Sequence, residues 1–404
     1  MANSWIDCTG CGNRFSSFMQ SCPRCGAANP NHNLNSNASS SPSPDLYRKT
    51  GSRNSIKVAM GILIGIAIFA AVIFSWLMFP GWSNFFAVTP APHTIPFAPS
   101  APNVVSNQAS SDLTLDQLVQ HALLKINQDR AKYGLPPVNL SPNRAAQAHA
   151  EDMLSSRQIS HWTTDGMKPY MRYTIYNGTG AVQQNVYEEG FEGAEYDQCV
   201  SGMLFCTKVD PYKAIDDGEW MFMYNDSACC NNGHRDNILE KSHTDVSIGI
   251  AYNDYYFALV QNFENNYIKF DRPITEDYQG KNTRTMHISG SITAGTILAV
   301  DVFYDQWPSP QVYQENKDRT SYDQGRLVAV VEKPLPIGFY YNRPSNYTLI
   351  VADRWVQDGQ HADISFDLGR IMQTEGVYTL YTIVEDSQKD KFQVTSYSLF
   401  VKNA

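Results

Sequence analysis

The pattern of apolar and polar positions divides the 404-residue chain into contrasting segments. One uncharged apolar run, VAMGILIGIAIFAAVIFSWLMF, fills positions 58–79. Apolar residues at helical spacing follow Thr114 and again follow Ser141. From about residue 268 onward the pattern changes to short alternating runs separated by Gly, Pro, Asn and Asp, which is typical of strands.

The apolar run is long enough to cross a membrane as a helix. At about 1.5 Å per residue it reaches roughly 33 Å, and a hydrocarbon core is about 30 Å thick. A signal peptide would have a shorter apolar region nearer the start of the chain. Basic residues lie just before the run, and the next one after it is Lys125. We therefore predict a membrane helix over residues 56–79 with the N-terminus in the cytosol.

The charge balance differs on the two sides of this run. Residues after position 57 carry 25 of the 31 basic and 38 of the 40 acidic side chains. An acidic outer part argues against nucleic-acid binding, because phosphate contacts need clustered Lys and Arg. Residues 31–55 and 80–111 are rich in Pro, Ser and Asn, and we predict that both are linkers.

Four of the eight cysteines precede the apolar run, in a doubled C-x2-C-G pattern. This spacing can place four thiolates around one zinc ion, and thiolate sulfur suits that metal. We predict a cytosolic zinc ribbon over residues 1–30, with redox chemistry as the alternative. A ribbon whose four positions are all filled is structural or contacts a cytosolic protein partner. Its ligands would be Cys8, Cys11, Cys22 and Cys25.

The other four cysteines lie beyond the run, where an oxidising compartment favours disulfides. They are Cys199, Cys206, Cys229 and Cys230. Adjacent cysteines seldom pair, because disulfide geometry requires more separation. We therefore expect two disulfides that join the segment around residue 200 to the segment around residue 230. The order of pairing stays open, and a metal site is the alternative.

Two helices and a series of ordered motifs precede residue 265. Thr114 and Gln117 form a capping box for the first helix, and Ser141 with Pro142 would begin the second. LLKINQDRAKYGLPPVNLSPNRAAQAHAEDM, SHWTTDGMKPYMRY, QNV, GHRDNIL and VSIGIAY follow in order. These motifs resemble the CAP superfamily of cysteine-rich secretory, antigen 5 and pathogenesis-related proteins, in its prokaryotic form. The resemblance covers residues 112–265 and implies an α-β-α sandwich with a central cleft.

In that family two histidines and two glutamates line the cleft, and the histidines can hold zinc. The resemblance assigns the histidine positions to His161 and His234. The family's first glutamate falls at Gln184, and the second falls at Met223, three residues after Trp220. The resemblance also implies that Asn127 and Arg130 are structural. It implies that Asp165, Gly166 and Arg172 shape a loop.

These departures weaken the case for catalysis. An uncharged amide at position 184 cannot take up a proton at neutral pH. A hydrolytic zinc site needs three protein ligands and a nearby base, and the motifs do not supply them. Glu188, Glu219 and Asp226 are the carboxylates near enough in sequence to act as substitutes for the missing glutamates. A second zinc site at the two histidines remains a candidate.

The last part of the chain, residues 268–404, contains seven alternating runs and no cysteine. We predict a β-sandwich without an internal disulfide, and we interpret it as a spacer or adhesion module.

We therefore predict a membrane-anchored protein whose outer domains bind a ligand, for which a lipid or a cell-envelope polymer is the family analogy. A metal-dependent hydrolase of surface substrates is one alternative. A structural, adhesion or signalling protein is the other.

Overall fold

The computed structural model describes residues 5–7, 9, 14–16, 114–275, 284–342 and 344–402, and all of them belong to one compact unit. The predicted membrane helix, the four zinc-ribbon cysteines and both linkers lie outside these residues. Within the described residues, no helix is both long enough and apolar enough to cross a membrane. Near the N-terminus, β1 (Trp5–Asp7) pairs antiparallel with β2 (Arg14–Ser16).

The first large domain contains seven helices and four strands. The helices are α1 (Leu115–Lys132), α2 (Ala145–Ser156), α3 (Pro169–Ile175), α4 (Gly193–Ser201), α5 (Pro211–Tyr224), α6 (Ser227–Cys230) and α7 (Gly233–Ile238). The strands are β3 (Asn139–Leu140), β4 (Ala181–Gly190), β5 (Asp245–Tyr252) and β6 (Tyr256–Asn265). They form one sheet in the order β3-β5-β6-β4.

Helices cover both faces of this sheet. On one face α1 and α5 bury Leu118, Ile126 and Phe222 against side chains of β5 and β6. On the other face α2 buries Ala146 and Met153 against the alternate side chains of β4 and β6. Because successive strand residues point to opposite faces, the nearly continuous apolar runs of β5 and β6 serve both layers. The predicted α-β-α sandwich is therefore confirmed.

The first helix begins as predicted, and the second does not. The Thr114 N–H donates to Gln117 Oε1 at 3.0 Å, which is half of the capping box. Ser141 is not an N-cap, because its N–H donates to the carbonyl of Val246 and so continues the edge of the sheet. Helix α2 instead begins at Ala145, whose N–H donates to Asn143 Oδ1.

The C-terminal domain is a β-sandwich, as predicted. Its strands are β7 (Ile268–Phe270), β8 (Thr285–Ile292), β9 (Thr296–Asp305), β10 (Arg326–Glu332), β11 (Thr348–Val351), β12 (Arg354–Asp358), β13 (His361–Asp367), β14 (Gly376–Glu385), β15 (Lys391–Gln393) and β16 (Tyr397–Val401). One sheet has the order β12-β13-β8-β7, and the other has the order β11-β10-β9-β14, with β15 and β16 both pairing with β14. A short helix, α8 (Pro310–Asn316), lies in the connection between β9 and β10.

The sheet that contains β9 and β14 is covered on both faces. Val300, Val302 and Leu380 point into the sandwich core. On the opposite face, Val377 and Phe400 pack against side chains of the first domain. All but the last residue of β14 is buried, since the strand is enclosed between its own domain and the neighbouring one. The C-terminal domain is therefore docked on the first domain and is not a detached spacer.

A buried ion pair crosses this contact. Lys168 Nζ lies 2.7 Å from Asp305 Oδ1 and 2.6 Å from Asp323 Oδ1, and the Tyr170 hydroxyl donates to Asp305 Oδ2 at 2.6 Å. Burial raises the pKa of Asp323, but the Lys168 ammonium, together with hydrogen bonds from Arg319 and the Gly325 N–H, outweighs burial and brings that pKa down to about 2. Nearby, Gly166 lies so close to the backbone of Ser309 that any side chain would collide with it. The Gly166 loop is thus fitted to the C-terminal domain.

The disulfides differ from the expected pairing. Cys199 bonds to Cys206 within one segment, with 5.5 Å between their Cα atoms. Helix α4 ends before Gly202, whose positive φ of 73° reverses the chain and returns Cys206 toward the helix. The prediction of two disulfides between the segments is therefore wrong. Cys230 is also disulfide-bonded.

The buried ion pair generates a stability prediction. Replacing the lysine in Lys168→Met leaves Asp305 buried without a counter-charge and leaves Asp323 paired with Arg319 alone, and we expect it to destabilise the fold by about 3–5 kcal/mol. Chemical denaturation of the full chain, followed by tryptophan fluorescence, measures the change. Lys208→Met is the control, because Lys208 forms an exposed ion pair with Asp254 and should change little. Equal denaturation midpoints for the two variants would contradict the role assigned to Lys168.

Candidate functional site

A cavity of about 440 Å³ lies between the two domains and is lined by both. Its first wall belongs to the α-β-α domain and includes both histidines singled out from the sequence. That wall contains His161, Gln184, Asn185, His234, Asn237 and Asn265. The opposite wall comes from the C-terminal domain and includes Asp301, Phe303, Tyr322, Tyr381 and Gln393.

His161 is buried and held by an amide. Its Nδ1 lies 3.1 Å from Gln184 Oε1, and because an amide oxygen only accepts, the imidazole nitrogen is the donor. Burial lowers the pKa of His161 to about 4, although the hydrogen bond with Gln184 opposes this shift. The imidazole is therefore neutral at pH 7. Its ring also meets the ring of Tyr322 edge to face, with 5.0 Å between the centroids.

His234 is held by a carboxylate. Its Nδ1 lies 2.7 Å from Asp226 Oδ1, while the backbone N–H groups of His234 and Arg235 donate to Asp226 Oδ2. Burial raises the pKa of Asp226, but these hydrogen bonds outweigh it and leave the pKa below its ordinary value. The Asp226 carboxylate therefore keeps the proton of His234 on Nδ1 and leaves Nε2 with its lone pair.

A polar network behind the cavity fixes Gln184. Its Nε2 donates to Asn262 Oδ1 at 2.9 Å and lies 3.1 Å from His149 Nδ1. Arg172 Nη2 also donates to His149 Nδ1 and to the carbonyl of His161. Because His149 Nδ1 accepts these bonds, Gln184 cannot rotate without losing partners on both sides. His149 and Asn262 were not singled out from the sequence as site residues.

Arg172 and Gly166 shape the loop that carries His161, as the family resemblance implies. Arg172 Nη1 donates to the carbonyl of Met167, and Gly166 closes the turn by donating its N–H to the carbonyl of Thr163. Asn127 and Arg130 are structural as well. Asn127 pairs with the backbone of Val138, and Arg130 donates to the carbonyl at the end of α7.

Of the three substitute carboxylates, the structure brings only Asp226 into contact with a cleft histidine. Glu188 accepts a hydrogen bond from the Tyr256 hydroxyl, and burial raises its pKa to about 7. Glu219 accepts from Gln261 Nε2 at 2.8 Å, and burial raises its pKa to about 8. Neither glutamate lines the cavity.

The two histidines offer an incomplete donor set for a metal. Their ring centroids are 6.5 Å apart, whereas two imidazoles sharing one tetrahedral zinc have centroids roughly 5 Å apart. Asp226, Cys230 and His234 also offer ligand atoms within 4.8 Å of one another. The Cys230 sulfur is in a disulfide, so it does not supply a thiolate. A metal would therefore have two protein nitrogens and would need the rings to move closer.

The connection between β9 and β10, residues 306–325, brings the C-terminal domain to the cleft. Helix α8 packs Val312 and Tyr313 on Trp162, the neighbour of His161 in the chain. The Tyr322 hydroxyl accepts a hydrogen bond from the backbone N–H of Gln184 at 3.2 Å. This segment supplies one side of the site, and no motif in it indicates this role.

Gln184 provides a direct test of the site's electrostatics. In Gln184→Glu a carboxylate would stand beside His161 Nδ1 and stabilise the imidazolium form. We therefore expect the pKa of His161 to rise from about 4 by about 1–3 units. Side-chain NMR titration of the full chain measures it, and Gln120→Glu on the exposed face of α1 is the control. A His161 pKa that stays the same in both variants would contradict this geometry.

Residues 123–263 match the cysteine-rich secretory protein family, CAP. An extracellular SCP-domain protein from Bacillus anthracis str. Ames is 18% identical, covers 39% of this chain and 45% of its own, and has a TM-score of 0.27. The CAP domain of enterococcal PrgA is 13% identical. The match covers 38% of this chain and 64% of the PrgA chain, with a TM-score of 0.26. The chain spans less than two thirds of either structure, and no curated protein matches it.

The family match covers the helices and strands that build the first wall of the cavity. The ordered motifs and the three-layer arrangement agree with that match. Residues 123–263 therefore resemble the cysteine-rich secretory protein family, and we refer to the domain that contains them as the CAP domain.

Proposed function

We propose that this chain is a membrane-anchored, extracytoplasmic binding protein that holds a cell-envelope ligand in the cavity between its CAP domain and its β-sandwich. The cavity itself carries the proposal. At about 440 Å³ it falls within the size range of small-molecule sites. Its lining combines amides, histidines and tyrosines from two rigid domains. The outward orientation of the CAP domain follows the prediction from the basic residues that precede the apolar run.

The lining favours a polar envelope polymer over a lipid. Asn185, Asn237 and Asn265 are buried and line the first wall, and Gln393 lines the second. These amides are already paired within the fold, Asn185 with Asn237 and Asn265 with His243, and they give the wall a polar surface that an acyl chain would not match. A ligand that carries hydroxyl or amide groups would suit this polar surface, and it could pair with the Tyr381 hydroxyl, which has no partner among the described residues.

The same geometry favours binding over hydrolysis. Gln184 occupies the position where the family has a carboxylate, and its amide is fixed by His149 and Asn262. The pair of Asp226 and His234 supplies one imidazole with an oriented lone pair. A hydrolytic site needs a further acid or metal ligand close to the bond that is cut.

Filling the cavity should abolish binding. Ser321 lines the cavity at its exposed edge, so Ser321→Trp introduces a ring where the ligand would lie. We expect sedimentation of the full chain with purified bacterial cell walls to fall at least about tenfold. Ser345→Trp, in an exposed loop away from the cavity, should sediment as the wild type does. Wall binding that survives Ser321→Trp would refute the proposal. It would also be refuted if palmitate released the chain from cell walls and soluble wall fragments did not.

The proposal includes two zinc sites, one at the N-terminal cysteines and one at the cleft histidines. The four N-terminal cysteines have the donor set of a structural ribbon. The two cleft histidines, whose Nδ1 atoms have partners, would supply two nitrogens to a weak second site once their rings moved closer. Zinc bound there would polarise a ligand oxygen.

The two zinc sites are distinguishable by substitution. Changing both His161 and His234 to Ala should lower the zinc content of the full chain by about one ion, and changing Cys8 and Cys11 to Ser should lower it by about one other. Metal analysis after dialysis at defined free zinc measures both. An unchanged zinc content in the double histidine variant would remove the cleft site, and His121→Ala is its control.

A further inference from the structure

Two polar side chains on the C-terminal wall of the cavity have no hydrogen-bond partner within the described part of the chain. The Tyr381 side chain is buried, and its hydroxyl makes no hydrogen bond. None of the described residues hydrogen-bonds to the Asp301 carboxyl either. Both residues line the cavity. Buried polar groups are normally paired, so the unpaired Tyr381 hydroxyl needs a physical explanation, and the partly exposed Asp301 carboxyl lines the same cavity.

The sheet places these two groups side by side. Asp301 on β9 is directly opposite Tyr381 on β14 in the antiparallel register. Residues opposite each other point to the same face, with Cβ atoms about 4.5–5.5 Å apart. Burial, with the charge of Glu332 adding to it, raises the pKa of Asp301 to about 7. The carboxyl therefore bears a desolvation cost that hydrogen-bond donors from a ligand would offset.

Aromatic rings flank this pair. The ring of Phe303, two residues along β9 on the same face, meets the Tyr381 ring edge to face at 5.5 Å between centroids. Tyr170, Tyr322 and Phe392 also line the cavity. Aromatic rings accept the C–H face of a sugar, while a carboxylate and a tyrosine hydroxyl bind its hydroxyl groups.

We propose that this wall is a saccharide subsite of disaccharide size, in which Asp301 and Tyr381 hydrogen-bond to sugar hydroxyls and Phe303 packs against the ring. Asn185 and Asn237 line the opposite CAP wall, where their amides hydrogen-bond to each other. This inference rests on the proposed function, because it names the ligand class of the same cavity.

Two conservative variants isolate the subsite. Asp301→Asn replaces an acceptor with an amide of equal size, and Tyr381→Phe removes only the hydroxyl. Each variant removes a group that has no partner in the fold, so we expect the thermal unfolding temperature of both to stay the same or rise. A loss of binding in these variants therefore reports on the ligand and not on misfolding.

The probe is N,N′-diacetylchitobiose, titrated into the full chain and followed by calorimetry. We expect Asp301→Asn to weaken binding about ten- to hundredfold and Tyr381→Phe about two- to tenfold, since a hydrogen bond to a charged group contributes more than a neutral one. Asp358→Asn and Tyr340→Phe, both at exposed positions, are the matched controls and should bind as the wild type does.

The results separate this inference from the proposed function. Absence of measurable binding of the disaccharide to the wild type overturns the saccharide subsite, as does equal affinity in Asp301→Asn and Asp358→Asn. A second outcome is that the disaccharide fails to bind while the chain still sediments with cell walls and Ser321→Trp still abolishes that sedimentation. In that case the cavity binds another polar ligand, and only the ligand class is wrong. If wall binding is also absent, the proposed function fails as well.

Discussion

The ammonium group of Lys168 lies between Asp305 and Asp323, where burial removes most of the water that would solvate Lys168 and Asp305. Such a cluster is stable only while its geometry is kept, because an unpaired buried charge is far more costly than a paired one. Asp305 lies at the end of β9, on the face that also carries Asp301 and Phe303. By holding Asp305, Lys168 fixes the position of the second cavity wall against the CAP domain.

The fold was largely predictable from residue patterns, because each pattern follows from burial. The continuous apolar runs of β5 and β6 correspond to a sheet covered on both faces, and the seven alternating runs correspond to the sandwich. Two of those runs each form two strands, 348–351 with 354–358 and 391–393 with 397–401. The start of α2 was misplaced because Ser141 is held by a backbone hydrogen bond to a strand distant in sequence, which local capping rules do not consider.

The candidate site was predictable in part. Motif matching placed His161, Gln184 and His234 in one cavity lining, because the family pattern records residues that a fold brings together. The second wall carried no such signal. Asp301 and Tyr381 belong to strands whose outward face, by sequence alone, would have been exposed to solvent. Only the docking of one domain on the other turns that face into a cavity wall, and docking depends on shape and on pairs such as Lys168 with Asp305. The pairing of Cys199 with Cys206 was missed because a turn at Gly202, and not distance along the chain, brings the two sulfur atoms together.

The division of the cavity between two domains has a mechanical consequence. A molecule that contacts both walls acts as a non-covalent clamp, because pulling the domains apart would also break its contacts. At a ligand concentration of one hundred times the dissociation constant, this linkage adds about 2.7 kcal/mol to the free energy of docking. The resistance of the two domains to separation under tension would then depend on whether the cavity is filled, even though no residue of the ion pair changes position.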